Sequence, residues 1–422
     1  MAQGGVVAMS TTASQKRQPA DWRADFPILK QEINGRKLAY LDSAASAQKP
    51  QVVLDAMTYA MNDHYANIHR GLYHFSQQTT TAFERARAKL AAFINADSER
   101  EIVFTRNATE AINLVAQSWA RQHLEKGDEV ILSEMEHHAN FVPWHMLQNE
   151  IGFTIKYIPV HDDGTLDMDR FRSMLRPETK LISVVHVSNA LGTKNDVKTL
   201  THIAKDFYPE MTVMIDGSQA AVHGAVDVQD IGADFYCFTG HKLYGPTGVG
   251  VLWGRYDLLD QMPPYQGGGD MIETVAFDGV SFKPAPARFE AGTPAFVEAI
   301  ALGTAIDYMT DIGMENIAAH EQALLAYATP KIKAVDGLTL HGDNNNKCGI
   351  LSFTLDWGHP SDVSMILDQC GVAVRSGHHC CMPLMSILGV DATIRASFGL
   401  YTNTDDIDAL IAGLKKAKDL LG

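Results

Sequence analysis

Residues 213–242 read VMIDGSQAAVHGAVDVQDIGADFYCFTGHK, and this stretch decides the fold. It holds two short apolar runs, Val213–Ile215 and Phe235–Phe238, and the chain around them alternates such runs with helical patterns. Continuous apolar strands separated by helices indicate a mostly parallel sheet that is covered on both faces. The carboxyl ends of such strands line the ligand crevice. Asp216 ends the first run and Lys242 lies just past the second, so we expect both residues at one site.

Similar apolar runs recur along residues 50–280 and are separated by helical patterns. Together with the two runs above they predict an α/β domain built on a mostly parallel seven-stranded sheet. The other five predicted strands are Ile102–Thr105, Glu129–Leu132, Phe153–Val160, Leu181–Val187 and Val249–Leu252.

The pattern changes after about residue 281, where long helical stretches precede a few strands. This change predicts a smaller α+β domain at the C-terminus. Its predicted helices are Phe296–Met309, Met314–Val335, Ser361–Gln369 and Thr404–Leu421, and its predicted strands are Leu338–Leu340, Gly349–Leu355 and Val372–Val374. We therefore divide the chain into an extension at 1–20, an N-terminal arm at 21–49 that packs with the small domain, a large domain at 50–290 and a small domain at 291–422.

The composition argues against several classes of function. The 422 residues carry a net charge of −15, which disfavours non-specific nucleic-acid binding because phosphates require a basic surface. No apolar run is long enough to span a membrane. Residues 1–20 contain no acidic residue and faintly resemble a transit peptide, although a disordered extension is the simpler interpretation. The five cysteines suggest no disulfide framework, so we expect a reducing, cytoplasmic location.

Lys242 and Asp216 suggest a cofactor with an aldehyde and a pyridine ring. A deprotonated lysine can form a Schiff base with an aldehyde, and apolar neighbours lower a lysine's pKa by desolvation. A carboxylate at a strand end can pair with a protonated pyridine nitrogen. Each residue alone has a simpler interpretation, since Lys242 could be a surface charge and Asp216 a helix N-cap.

Two further segments follow predicted strands. Asn107-Ala108-Thr109-Glu110 opens a helix with capping-box spacing, and such a helix start can bind a phosphate or serve only as a cap. Glu136-His137-His138-Ala139-Asn140 offers a histidine that could stack on an aromatic cofactor and move protons. Metal ligation by the histidines is the alternative, and the absence of C-x-x-C and H-E-x-x-H motifs disfavours it.

A candidate nucleophile lies in the small domain, in the run Arg375-Ser376-Gly377-His378-His379-Cys380. Nearby protonated histidine or arginine can lower the pKa of a thiol, and the thiolate is the reactive form. A lone cysteine is more often a buried core residue, but the polar, glycine-containing surroundings disfavour that interpretation here.

Taken together, these motifs resemble the fold-type I enzymes that use pyridoxal 5′-phosphate (PLP), in class V of the aminotransferase superfamily. Within them the chain is most similar to the group II, or Suf-type, cysteine desulfurases, which include selenocysteine lyase-like members. The resemblance extends over nearly the whole chain. It rests on the motifs already quoted and on Leu41–Ala45, Asn67–Gly71, Val187–Asn189, Asp216–Gln219, Arg288–Pro294 and Arg395–Ser397.

The resemblance implies a role for each site residue. Lys242 would hold PLP and later move the substrate's α-proton, and Cys380 would be the nucleophile. Contacts with PLP are implied for Asp216 (pyridinium), Gln219 (phenolic oxygen), His137 (ring stacking and proton transfer), Thr109, Thr239 and His241 (phosphate) and Thr293 (phosphate of the partner subunit). Substrate carboxylate binding is implied for Asn189 and Arg395, with Arg375 as a further candidate.

Some positions depart from the family pattern. Ala108 stands where the family often has a hydroxyl residue, so one phosphate contact is in doubt at this PLP-binding position. Thr239 replaces the commoner serine, which is a mild change. Cys381 follows Cys380 directly, and it is either a small core residue, which we favour, or a second thiol that exchanges with the persulfide.

The implied activity is conversion of L-cysteine to L-alanine, with the sulfur left as a persulfide on Cys380 for iron–sulfur cluster assembly. A homodimer with shared active sites is implied as well. The short connection between Val374 and Pro383 predicts a tethered loop, so a small acceptor protein of the Suf system should come to the site for the sulfur. The alternatives are a selenocysteine lyase acting on L-selenocysteine, another PLP lyase or aminotransferase, and a non-catalytic scaffold.

Overall fold

The computed structural model describes residues 19–422, except for the side chain of Ala20. The predicted extension at residues 1–20 therefore lies outside the described residues, apart from its last two positions. The N-terminal arm begins with a short helix and contains three two-residue strands. These elements are α1 (Pro19–Trp22), β1 (Glu32–Ile33), β2 (Arg36–Lys37) and β3 (Ala39–Tyr40).

The main sheet has seven strands, as the sequence predicts. The structure adds their order across the sheet, which is β4-β10-β9-β8-β7-β5-β6. All neighbouring pairs are parallel except those of β10, which runs antiparallel to both β4 and β9. Four of the strands are buried along their whole length, which explains their continuous apolar runs. The strands are β4 (Ile102–Thr105), β5 (Glu129–Ser133), β6 (Thr154–Ile158), β7 (Thr179–Val185), β8 (Thr212–Asp216), β9 (Phe235–Thr239) and β10 (Gly250–Gly254).

Helices cover both faces of this sheet. The helix predicted from Ala111 begins three residues earlier, and it passes through a π-helical turn at Ala116–Ala120 before α5. The helices of this part are α2 (Gln51–Asp63), α3 (His74–Phe93), α4 (Ala108–Val115), α5 (Arg121–His123), α6 (Val142–Ile151), α7 (Met168–Met174), α8 (Val197–Phe207), α9 (Ala220–His223), α10 (Val228–Ile231) and α11 (Tyr256–Gln261). Among the helices of residues 19–422, none combines the length and the apolar character that crossing a membrane requires.

A hairpin that the sequence reading missed follows the main sheet. Its strands β11 (Ile272–Ala276) and β12 (Gly279–Phe282) are antiparallel, and nearly all of their residues are exposed. Phe277 lies at the tip of the hairpin, and its side chain is fully exposed to solvent in the described chain. Because the hairpin lacks a buried face, it has no apolar alternation by which a strand is usually found.

The C-terminal part contains a second sheet, antiparallel and in the order β13-β14-β17-β16. The predicted strand near Val372 pairs with the arm instead, where Val372 lies opposite Ala39 in a parallel pair. Two strands of this sheet, Arg375–Gly377 and Thr393–Ser397, were not predicted from the sequence, and the first of them was expected to be part of a loop. The elements are α12 (Phe296–Ile312), α13 (Met314–Lys333), β13 (Leu338–His341), β14 (Ile350–Leu355), α14 (Pro360–Gln369), β15 (Val372–Ala373), β16 (Arg375–Gly377), α15 (Met382–Ile387), β17 (Thr393–Ser397) and α16 (Thr404–Leu421).

Candidate active site

A cavity of about 370 Å³ opens at the carboxyl ends of the parallel strands. It gathers residues that follow β4, β5, β7, β8 and β9, because parallel strands deliver their C-terminal residues to one edge of a sheet. Residues from the second sheet close the cavity. Twelve of the thirteen predicted site residues line it, namely Ala108, Thr109, His137, Asn189, Asp216, Gln219, Thr239, His241, Lys242, Arg375, Cys380 and Arg395.

Thr293 is the predicted site residue that the structure places elsewhere. It lines an adjoining cavity, which it shares with Asn107 and His241 from the rim of the main one. The resemblance assigned Thr293 to the partner subunit's site, and a position outside this chain's own cavity is compatible with that assignment.

The start of α4 forms one wall of the cavity. The Asn107 side chain accepts a hydrogen bond from the Glu110 backbone N–H at 2.9 Å, as expected of an N-cap. The capping box is only half formed, because the Glu110 carboxylate accepts from the Arg106 backbone N–H instead. On the neighbouring strand a Cβ at Gly250 would lie 2.5 Å from Asn107 Cα, so only glycine allows this close approach.

Lys242 sits in the turn after β9. Burial lowers the pKa of its ammonium group, and the Asp216 carboxylate partly opposes that shift. Lys49, which the sequence reading did not single out, holds the turn through a hydrogen bond of its Nζ to the His241 carbonyl at 2.9 Å. Burial also lowers the pKa of His241, to about 4, so its ring is neutral near neutral pH.

Asp216 ends β8 and lies with Gln219 on the floor of the cavity. One carboxylate oxygen of Asp216 accepts from the Ser218 backbone N–H at 2.9 Å and from the Ser218 hydroxyl at 2.5 Å. The Gln219 side-chain NH₂ donates to the Ala44 carbonyl at 2.8 Å, while Gln219 Oε1 is buried without a partner. The Thr239 hydroxyl is likewise buried without a partner.

His137 follows β5 and is held by a buried polar network. Its Nδ1 accepts from the Ala139 backbone N–H at 3.0 Å, so the neutral ring carries its hydrogen on Nε2. Burial and then Lys242 lower its pKa to about 4. Behind it the Glu136 carboxylate accepts from the Asn140 amide at 2.6 Å and from the Val185 backbone N–H at 2.9 Å. This network fixes the turn that presents the histidine.

Cys380 is the exposed thiol among the five cysteines, all of which lie in the described chain. It belongs to a tight turn between β16 and α15, in which His379 and Cys380 both have left-handed backbone conformations, with φ of 50° and 56°. Such conformations are rare for residues other than glycine. The next residue, Cys381, is fully buried in the main hydrophobic core, and burial raises the pKa of its thiol.

Two arginines stand beside each other on paired strands, with Arg375 opposite Arg395. Arg395 is buried, and it donates to the Asn189 carbonyl at 2.8 Å and to the Asp42 carboxylate at 3.1 Å. Arg375 is half-exposed and pairs with the same carboxylate at 3.0 Å. The sequence reading quoted the motif that contains Asp42 but gave the residue no role, because its importance depends on two arginines more than 330 positions away.

The side chain of Asn189 is engaged with the cysteine turn. Its Nδ2 donates to the His379 carbonyl at 2.7 Å, and its Oδ1 accepts from the Cys381 thiol at 3.1 Å. One N–H of the Asn189 amide therefore remains for a substrate carboxylate. Residues 19–422 contain no group of three or more His, Cys, Asp or Glu side chains placed to hold a metal ion.

Known proteins resemble this chain along almost its full length. Residues 39–410 match the family model described as aminotransferase class-V. A cysteine desulfurase of Salmonella typhimurium is 48% identical over 401 residues, which are 95% of this chain and 98% of the relative. The crystal structure of the Escherichia coli cysteine desulfurase CsdA is 37% identical and superposes with a TM-score of 0.89 over 96% of this chain and 100% of that one.

A second solved structure is similar over nearly the same length. The apo cysteine desulfurase from Thermococcus onnurineus NA1 is 36% identical to this chain. It superposes with a TM-score of 0.90, over 97% of this chain and 99% of its own.

Proposed function

The chain belongs to the aminotransferase class-V family, and we propose that it is a cysteine desulfurase that converts L-cysteine to L-alanine and retains the sulfur as a persulfide on Cys380. One observation carries the proposal. A lysine whose pKa is lowered by burial and an exposed cysteine line the same cavity, although they lie in turns that follow strands of two different sheets and are 138 positions apart (380 − 242).

The cavity fits PLP as its cofactor. Buried polar atoms normally have partners, so the unpaired Thr239 hydroxyl and Gln219 Oε1 mark places where a polar ligand belongs. Thr239, Thr109 and His241 lie with the start of α4, where free backbone N–H groups favour a phosphate. We assign Asp216 to the pyridinium nitrogen, Gln219 to the phenolic oxygen and Lys242 to the aldehyde carbon, since all three line the cavity that would hold PLP. When bound, PLP supplies an electron sink for the substrate's α-carbon.

Proton transfer belongs to Lys242 and His137. Burial favours the neutral amine of Lys242, whose Nζ can accept the proton that leaves the substrate's α-carbon. His137 is neutral above about pH 4 and carries a hydrogen on Nε2, so it can donate near the cofactor face. A positive charge on Lys242 also lowers the pKa of His137 and so favours the neutral imidazole.

Arg395 is the substrate's carboxylate anchor. Its guanidinium is buried and has one unpaired Nε, although it already pairs with Asp42. Asp42 offsets one of the two positive charges of Arg375 and Arg395, which leaves a net charge that attracts one carboxylate. The free N–H of Asn189 supplies a further donor.

Sulfur transfer is assigned to Cys380. Its thiolate forms a new S–S bond with the substrate's sulfur while the bond between that sulfur and the substrate's Cβ breaks, and alanine is the second product. The short turn that carries Cys380 gives its sulfur little reach. We therefore propose that a small acceptor protein takes the sulfur by thiol exchange, and that the enzyme is of the Suf type and supplies iron–sulfur cluster assembly.

The active unit is a homodimer. The surface formed by α2 and the segment leading into α3 is exposed and apolar, with Leu72 92% and Tyr65 61% exposed. Exposed apolar patches of this kind mark protein interfaces. Tyr65 also lines the cavity that contains Thr293, so a second copy on this surface would sit next to the rim of the active site.

The proposed function is tested by adding L-cysteine to the purified protein and assaying alanine, sulfide and the visible spectrum together. Equal amounts of alanine and sulfide are expected when a reductant is present. Lys242→Ala should abolish both products, and Cys380→Ala should abolish both from L-cysteine. Repeating the assay with L-selenocysteine distinguishes a lyase, which would release selenide without Cys380. A colourless protein that forms no alanine would contradict the proposal.

A further inference from the structure

The turn that carries Cys380 is held in an unusual conformation. His379 and Cys380 are consecutive non-glycine residues in the left-handed region. Backbone conformations of this kind persist only where the surroundings impose them, and they cluster at functional sites. The turn is short, since β16 ends at Gly377 and α15 begins at Met382. The turn has an internal hydrogen bond from the Cys381 N–H to the His378 carbonyl at 2.8 Å, and contacts from outside hold it as well.

His138 contacts the turn on both sides of the reactive thiol. Its backbone N–H donates to the Cys380 carbonyl at 2.7 Å. Its ring Nε2 accepts from the Met382 backbone N–H at 3.1 Å, which is an unpaired donor at the start of α15. The ring also lies against that of His378, with centroids 5.6 Å apart. His138, which follows a strand of the main sheet, therefore binds both Cys380 and Met382.

The ring nitrogen of His138 must be unprotonated to accept this bond. Burial and the neighbouring His378 both lower the pKa of His138, so the acceptor form persists at neutral pH. The adjacent residue, His137, lines the cofactor cavity. The peptide between the two histidines therefore connects the cavity wall directly to the cysteine turn.

We propose that His138 is a positioning residue, which holds the Cys380 turn so that its thiol faces the cavity. This inference rests on the desulfurase function proposed above and adds a residue to which that proposal assigns no role. Without the ring's bond to Met382, the segment after Cys380 loses its contact with the His138 ring. The turn then keeps the main-chain bond from His138 and the bond from Asn189 to the His379 carbonyl, and Cys380 is held less tightly in its left-handed conformation. The substrate would still bind, but the thiol would no longer stand in line with the substrate's sulfur.

Two substitutions at position 138 separate the ring's bond from its bulk. His138→Phe keeps a flat ring but removes the acceptor, whereas His138→Gln places an amide oxygen near the position of Nε2. In single turnovers with L-cysteine, we expect His138→Phe to slow persulfide formation on Cys380 at least fivefold, measured as a 32 Da mass gain (about one sulfur atom). The cysteine concentration that half-saturates the change in visible spectrum should stay within twofold of that of the wild type. His138→Gln should recover most of the rate.

A second readout does not depend on activity. In the cofactor-free protein, hydrogen exchange of the Met382 amide should be at least tenfold faster in His138→Phe than in the wild type, and near the wild-type rate in His138→Gln. The matched control is His145→Phe, since His145 binds the Tyr157 hydroxyl at 2.7 Å, away from the turn. That control should change neither the Met382 exchange nor persulfide formation.

Met382→Pro removes the donor without touching the histidine, and proline is tolerated at the first position of a helix. It should slow persulfide formation as His138→Phe does, and adding His138→Phe to it should have no further effect. If His138→Phe does not fold, the rate of persulfide formation in Met382→Pro tests the proposal by itself. The proposal is overturned if His138→Phe forms persulfide at the wild-type rate, if the Gln and Phe variants are equally slow, or if the two substitutions add. A wild type that forms no persulfide contradicts the proposed function instead, and the exchange of Met382 still tests His138.

Discussion

The Asp42 carboxylate binds Arg395 through one oxygen at 3.1 Å, and its other oxygen lies 3.0 Å from the half-exposed Arg375. The two arginines differ sharply in environment, because the Arg395 side chain is 2% exposed and that of Arg375 is 50% exposed. A single negative charge thus supports one buried cation at the substrate anchor and one cation at the rim.

The buried pair should contribute to stability far more than the exposed one. Asp42→Asn removes the carboxylate partner of both arginines. It should lower the free energy of unfolding of the cofactor-free protein by about 3 kcal/mol, mostly because the buried Arg395 is left without a carboxylate partner. Arg375→Gln should lower it by less than about 1 kcal/mol, because solvent screens an exposed pair. Urea unfolding of both variants measures the difference. A larger loss in Arg375→Gln than in Asp42→Asn would contradict this account of the two pairs.

Thr239→Val should have opposite effects on the empty and the loaded protein. The Thr239 hydroxyl is buried and unpartnered, so its replacement by a methyl group should raise the stability of the cofactor-free protein by about 1 kcal/mol. The same change removes a donor from the cofactor phosphate and should weaken PLP binding about tenfold, as expected for a lost hydrogen bond to a charged group. Thermal unfolding and PLP titration by absorbance check the two effects. Thr239→Ser keeps the hydroxyl and serves as the control, which should bind PLP nearly as well as the wild type.

Cys381 should carry no persulfide. Its thiol is fully buried, burial raises its pKa, and it donates to the Asn189 amide oxygen. After L-cysteine is added without reductant, peptide mass spectrometry should find the additional sulfur on Cys380 alone. Cys381→Ala should lower stability by about 1 kcal/mol through the lost sulfur volume and should leave sulfide release within about twofold of the wild type. A persulfide on Cys381 would show that the turn opens during turnover.

His186 should make the protein less stable in acid. Burial lowers its pKa to about 4, below the ordinary value of 6.5, so the unfolded chain takes up the proton first as the pH falls. The stability that neutral His186 provides is therefore complete above about pH 6.5, and it declines by at most about 1.4 kcal/mol per pH unit down to about pH 4. In urea unfolding between pH 7 and pH 4.5, His186→Gln should show a shallower decline than the wild type. His161→Gln, which changes an exposed histidine, should show the wild-type decline.

The main sheet could be predicted from the sequence because its strands are buried on both faces. Apolar runs mark such strands directly, and all seven predictions are confirmed, with small shifts at the ends of most strands. The strands β16 and β17 were missed because an arginine interrupts the apolar pattern of each, although β17 is buried along its whole length. Arg375 and Arg395 lie opposite each other on these two strands. Because most arginines in proteins are exposed, a sequence pattern that contains one does not predict a buried strand unless the carboxylate partner is known.

The residues that support the site were harder to find than those that line it. Lys242, Asp216 and Cys380 stand in recognisable local patterns, and the structure brings all three to one cavity. Asp42 and His138 act through partners 242 or more positions away, such as Met382 (382 − 138 = 244) and Arg395 (395 − 42 = 353). No local pattern encodes such pairs. The contact of His138 with Met382 forms only when the two sheets pack together, and that of Asp42 with Arg395 forms only when the N-terminal arm lies against the second sheet.

The sequence by itself determined the parallel sheet, the edge where its loops meet and the residues able to bind the cofactor and attack sulfur, since strand burial and side-chain chemistry are local properties. Only the tertiary structure decided which groups remain free. It engages both ends of the Asn189 amide, buries Cys381 beside an exposed Cys380, and leaves the Thr239 hydroxyl unpaired. The physical reason is that hydrogen-bond satisfaction and desolvation depend on every atom packed around a group, and most of those atoms come from distant parts of the chain.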